Sequence, residues 1–226
     1  MPDDKTLYLL LMVLAVVPAV LLHEIAHGVV ACFFGDTTAK DNGRLSLNPL
    51  RHVDVFGTIV FPLLLFLSNS PFLFGWAKPV PVNFGALKNP KKDMVWVALA
   101  GPATNFVLGL LALGVLAVMA HADAFSKPAV FFLSQTAVFN FSVMIFNLLP
   151  VLPMDGGRIL TGLLPLPAAV RFAGTEKYGL PVMVVLLIGL PLLGDEIGVD
   201  LDIVGRYLAF AVKGMLSFFV ALFGIV

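Results

Sequence analysis

His23, Glu24 and His27 stand in the order H-E-x-x-H inside an apolar run from about Leu7 to Phe34. On a helix, residues four apart share a face, so both imidazoles project together with a carboxylate beside the first. This is how a catalytic zinc is held: two ligands from adjacent helical turns and a general base next to them. Ionisable side chains are costly in a bilayer, so a His, Glu and His set within a candidate span points to function. Two buried histidines bonded to neighbouring polar groups would show the same spacing.

Two histidines leave a zinc site one ligand short. His52, in a short polar loop, and His121, in the turn after the third apolar segment, read as solvated residues. Asp155 is the stronger candidate. Pro150 and Pro153 break the fourth apolar segment near its end, and Gly156 and Gly157 allow tight turns, so the chain can bend back toward the bundle. Asp155 can also cap the short helix expected to start near Arg158. Asn140 reads as a helix–helix packing bond, a use equally open to Asn147. Asn105 is expected to support the core through the Gly101-Pro102 backbone, with a role behind the metal ligands open.

The elements that must position these groups are membrane helices. The chain of 226 residues is 59% hydrophobic and only 12% charged, where soluble domains have about 25% charged residues. Apolar segments run at about Leu7–Phe34, Val55–Trp76, Met94–Ala120, Ala129–Leu152, Gly179–Leu193 and Val204–Val226. The zero net charge offers nothing to nucleic acid. Cys32, the single cysteine, excludes an intrachain disulfide and a thiolate cluster and reads as a small packed residue. The leader before Leu7 is not basic and the first run exceeds a signal-peptide core, so that run is expected to be retained.

The second segment is interrupted by Ser68-Asn69-Ser70-Pro71, a turn signature. If the segment crosses, Lys40, Arg44, Arg51, Lys127 and Arg206 share one side, five basic residues against eight. If it turns back, only Lys5, Lys127 and Arg206 remain on the far side, three against ten, which fits the positive-inside rule better. The turning arrangement also puts His27 and Asp155 at the same end of their helices. The expected fold is therefore an all-α polytopic helix bundle of about five full crossings plus a re-entrant hairpin. The N-terminus is expected outside and the C-terminus in the cytoplasm, with the acidic 195–202 loop outside. Short strands at the membrane edge are expected at Arg44–Val53 or Ala77–Asn83, where an exposed edge could clamp an unwound substrate. Lys213 falls within the last span, where it snorkels or meets a partner helix.

His23-Glu24-x-x-His27, Gly101-Pro102-Ala103-Thr104-Asn105 and Met154-Asp155-Gly156 together resemble the site-2 proteases, zinc-dependent intramembrane metalloproteases. Ser46-Leu47-Asn48-Pro49-Leu50, Gly75–Asn83 and Asn147-Leu148-Leu149-Pro150 are similar to the compact prokaryotic branch without PDZ or CBS domains. Val55 and Phe84 depart from that pattern, each standing where proline is usual. The resemblance covers roughly residues 7–160. It implies a single protease domain over 1–226, with a core at 7–160 and accessory helices at 178–226. It further implies one Zn2+ per chain on His23, His27 and Asp155, Glu24 as general base, and Asn147 on the oxyanion or substrate. The implied activity is hydrolysis within or near transmembrane helices of membrane-protein substrates, in the plasma or inner membrane, with the site toward the cytoplasm. A metal-ion transporter, which also places His and Asp on broken helices, and an inactive helix-binding scaffold are the competing readings.

Overall fold

The computed structural model describes residues 4–60, 63, 67 and 77–225. Five helices in it are long and apolar enough to cross a membrane: α1 (Asp4–Phe33), α3 (Pro90–His121), α4 (Lys127–Asn147), α7 (Glu176–Ile197) and α8 (Ile203–Leu222). The short helices are α2 (Thr38–Asp41), α5 (Asp155–Leu163) and α6 (Leu166–Ala173). The side-chain distribution is that of a bilayer protein. Leu9, Leu10, Val107, Val118 and Phe210 face outward, while many of the buried positions are small or polar: Ala15, Ala19, Gly28, Ala98, Asn105 and Asn140. Lipid is as apolar as leucine, so helices gain little by hiding apolar surface from it and associate instead through close packing and interhelical hydrogen bonds. A core of Ala112, Leu113, Ala137, Phe141, Ile145 and Val212 joins α3, α4 and α8.

The ends of the helices can be matched. Phe34 O accepts from Lys88 N at 3.0 Å, so α1 finishes where α3 is about to begin, here termed the near end. At the far end the Tyr8 and Phe131 rings meet at 4.8 Å, joining the starts of α1 and α4. The 53–77 segment also starts and stops at one place, because Lys78 N donates to His52 O at 2.8 Å. A re-entrant excursion requires such a return. The expected hairpin itself, including Ser68-Asn69-Ser70-Pro71, lies largely outside the described residues; the part described at its entry, Val55–Val60, is a π-helical turn.

The last two helices differ from expectation. Gly224 lies against His121, so α8 ends at the far end rather than at the near end. It starts near α4's close, since Asp202 and Gly205 line a cavity with Asn147 and Met154. The preceding α7 opens with Gly179 pressed on Leu152, also at the near end. Although α7 is long enough to cross, Asp202, which follows it, is back beside the near-end residues Asn147 and Met154. The start of α1 and the end of α8 thus share the far end. Hydropathy measures span length but not destination, and α7 carries a π turn at Val185–Gly189 and prolines at 181 and 191.

The expected edge strands do not form among the described residues. Pro49 cannot donate to a ladder, and the Asn48 side chain caps Leu50 N, so residues 49–52 wind into a 3-10 turn. Residues 77–83 are extended, but Pro79 and Pro81 lack N–H groups, while Lys78 N is bound to His52, Val80 N to Glu24 and Asn83 N to Asp36. This segment has few donors left for a ladder. His52 is buried, not solvated, and its Nε2 bonds Ser46 O at 2.9 Å.

Asp36 ties these near-end pieces together. Its carboxylate accepts from the Thr38 hydroxyl, from Thr38 N at 3.0 Å and from Asn83 N at 2.6 Å. Burial raises its pKa, but these hydrogen bonds outweigh that and hold it below the usual carboxylate value. The folded pKa lies below the unfolded one, so the contribution is complete above about pH 4 and is lost as pH falls through the lowered folded value. Asp36→Ala is expected to cost about 2–3 kcal/mol by stranding buried donors. Thermal unfolding in detergent, followed at pH 7 and pH 3, checks this: the gap between wild type and variant should shrink at the lower pH.

Candidate metal centre

The centre is built from three separate pieces of chain. Helix α1 brings His23 and His27 onto one face, with ring centroids 4.7 Å apart. The loop after α4 bends back and sets Asp155 at the first position of α5. Gly156 permits this bend, because an added Cβ would collide with Leu148 O. His23 Nε2 then lies 3.1 Å from Asp155 Oδ2, His27 Nε2 lies 3.4 Å from the same oxygen, and the two nitrogens are 3.1 Å apart. Tetrahedral zinc with bonds of about 2.0–2.1 Å needs donor separations of about 3.3 Å. The three atoms form three corners of such a tetrahedron.

The protons show why a cation fits. Val97 O takes the His27 Nδ1 hydrogen at 2.7 Å. Asn105 Oδ1 faces His23 Nδ1 at 2.6 Å, and this amide is oriented by its nitrogen, which donates to Ala19 O and to Asn140 Oδ1, both at 2.9 Å. Asn140 is oriented in turn by donating to Thr136 O at 2.8 Å. The network assigns an oxygen to the His23 side, so His23 carries its proton on Nδ1. In these tautomers both Nε2 atoms present lone pairs to a carboxylate oxygen that is itself buried without a hydrogen-bond partner. Three acceptors at 3.1–3.4 Å have no proton to share, and a divalent ion satisfies all of them. Within the described residues, His23, His27 and Asp155 are the group able to hold a metal.

One face of α3 serves both imidazoles. Val97, Gly101 and Asn105 recur every fourth residue: the first bonds His27, the last bonds His23, and the glycine lets the rings close. A Cβ at Gly101 would overlap His27 Nε2 and both Cε1 and Nε2 of His23. Asn105 thus acts on His23, the role behind the ligands that the sequence left open, rather than through the Gly101-Pro102 backbone. Asn140, read as packing, is the next link of the same chain of bonds. The sequence signal for both was a carboxamide in an apolar helix; the role of Val97 rests on its carbonyl and left no signal.

A cavity of about 570 Å³ adjoins the group. His23, Glu24, Asn147 and Met154 line it together with apolar side chains of α1, α4, α7 and α8. Glu24 Oε2 accepts from Val80 N at 2.9 Å, so the extended 77–83 segment aims this carboxylate. Asn147 donates one amide hydrogen to Val143 O at 3.0 Å, on its own helix, and not across to another. The sequence-derived residues His23, Glu24, His27, Asn147 and Asp155 are thus assembled around one centre and its cavity. His52 and His121 are not part of it.

A family model described as Peptidase family M50 matches residues 114–190, a stretch that includes Asn147 and Asp155. A Bacillus subtilis protein named "Putative zinc metalloprotease YwhC" is 38% identical over 183 residues, 78% of this chain and 80% of the relative. Proteins named "Putative zinc metalloprotease Rip2" are 32% identical in Mycolicibacterium smegmatis and 29% identical in Mycobacterium tuberculosis. These cover 74% and 79% of this chain, and 62% and 66% of the relatives. No solved structure matches significantly.

Two substitutions probe the centre without touching a ligand. Asn105→Leu removes the acceptor that orients His23 and is expected to weaken zinc binding about 10- to 100-fold. Gly101→Ala, by pushing the rings apart, should lose as much or more. Zinc titration of the purified proteins against a competing chelator, with circular dichroism to verify helix content, measures both.

Proposed function

Because the chain belongs to peptidase family M50, the site-2 protease family, we propose that it is an intramembrane endoprotease that hydrolyses peptide bonds within or near transmembrane helices of other proteins. The observation that carries this reading is the convergence of His23 Nε2, His27 Nε2 and Asp155 Oδ2 beside a cavity that also holds Glu24 and Asn147. Zinc is the cofactor of the related metalloproteases, and when bound by these three residues it supplies a Lewis acid that acidifies water and polarises a carbonyl.

The other roles fall to the chain's own groups. Glu24 is the general base: Val80 N holds its Oε2, and Oε1, which has no partner among the described residues, takes the proton from water. The same carboxyl later returns that proton to the leaving amine. Asn147 keeps one amide hydrogen for the developing oxyanion while Val143 O holds the other. The apolar walls of the cavity exclude bulk water and strengthen these interactions.

Five helices long enough to cross a membrane support the reading that this chemistry takes place in a bilayer, and charge supports an orientation. Every Lys and Arg except Lys5, Lys127 and the mid-helix Lys213 lies at the near end, with the metal group. By the positive-inside rule that end faces the cytoplasm, in the plasma or inner membrane. The whole of 1–226 works as one protease unit, in which α8 completes the cavity wall.

Glu24→Gln is expected to retain zinc and to lose about 10²–10⁴-fold in cleavage of a single-span substrate. Asn147→Ala should lower kcat about 10²–10³-fold. Zinc analysis beside a cleavage assay in proteoliposomes checks both. Wild-type protein that cleaves no panel member, yet moves zinc across the vesicle membrane with or without Glu24, would replace the protease with a transporter.

A further inference from the structure

One charged side chain in the cavity has no part in the reaction described. Asp202 caps α8, accepting Gly205 N on Oδ1 at 2.8 Å, and lines the same cavity as His23, Glu24 and Asn147. Its Oδ2 has neither a hydrogen-bond donor nor a cation among the described residues. The basic residue one turn along, Arg206, pairs with Asp200 at 3.4 Å instead. Much of the surrounding wall is apolar, formed by Val16, Val20, Phe139, Val143, Leu187 and Leu208. Asp202 also borders a second hollow with Asp195 and Asp200, so this side of the cavity carries acidic charge that attracts a cation.

We infer that Asp202 is a specificity residue, pairing with a Lys or Arg that flanks the substrate's transmembrane segment. The chemistry of membrane proteins provides that partner, since their Lys and Arg concentrate just beyond the cytoplasmic ends of their spans. Asp202 begins α8 at the near end, level with the close of α4, where such a flank would come to lie beside the metal group. The inference rests on the proteolytic reading and adds the substrate class to it: single spans with a basic flank over those with a neutral or acidic one. A charge pair at the edge of a low-dielectric cavity selects by several-fold or more and discriminates against like charge.

The test uses full-length protein in phosphatidylcholine vesicles, whose headgroups carry no net charge. Single-span peptides differ only in bearing Lys, Gln or Glu at the flank. Wild type is expected to prefer Lys over Gln by about tenfold in kcat/KM, mostly through KM, with Glu poorest. Asp202→Asn keeps the cap acceptor and removes the charge, so the Lys-to-Gln ratio should fall to near one. Asp202→Ser, another capping residue, serves if the Asn protein fails to fold. A merely structural role would lower all three substrates together and leave the ratio intact, and that result overturns the inference. So does a wild type indifferent to flank charge. The affinities of the same peptides for zinc-loaded Glu24→Gln protein separate the two readings. Preferential binding of the Lys peptide without any wild-type cleavage would remove the protease and leave charge selection standing; cleavage without charge preference would do the reverse.

Discussion

The Nδ1 hydrogen of His23 points at a carboxamide oxygen whose own nitrogen is held by two other acceptors, and this lock governs the rest of the centre. An imidazole ligates a metal only through a nitrogen without a proton. The Nδ1 side of each ring is packed between helices, so the fixed partner it meets there specifies the tautomer. Thr136, Asn140 and Asn105 do so in sequence, each amide oriented by the next. Val97 O does the same for His27 with a single backbone acceptor.

That lock explains the packing around it. Polar side chains within an apolar bundle are tolerable only when satisfied, and Asn105 and Asn140 are buried at 0% and 1% exposure with their bonds made. Their bonds cross between α1, α3 and α4, so the same interactions that orient a ligand also hold three helices together. Small residues bring the backbones close enough for this. Gly101 stands where any Cβ would occupy the space of the imidazoles, so the metal group and the α1–α3 contact cannot be altered independently.

The near end is where the chain does its irregular work. Three connections leave and return there: from Phe34 to Lys88, from Leu148 to Asp155, and from Glu176 to Asp202. Gly35 after α1, Pro150 and Pro153 after α4, and Gly198 after α7 stand where those helices stop. The first supplies the N–H that aims Glu24, the second supplies Asp155, and the third adds Leu187, Ile188 and Asp202 to the cavity wall. Chemistry thus gathers at one end of the bundle, which also holds most of the basic residues.

The reactive groups were legible in the sequence because local rules place them. The four-residue spacing of His23 and His27 is a helix property, and an Asp among prolines and glycines after an apolar run signals a turned-back chain. The all-helical bundle followed from run lengths, and the meeting of α1 and α4 at one end followed from the count of basic residues. What the sequence could not decide depends on partners distant along the chain. A carbonyl such as Val97 O is chemically the same at every position, so only the packing of α3 on α1 made it a ligand's anchor. An amide does not announce its acceptor, so the sequence left Asn105 open between the Gly101-Pro102 backbone and a role behind the metal ligands, and packing decided for the second. Alternation and turn residues do not reveal that donors at 77–83 are already committed, so strands were expected where no ladder forms. Hydropathy gives α7 length enough to cross but not a direction, and only tertiary contacts placed Asp202, which follows it, at the metal-binding end.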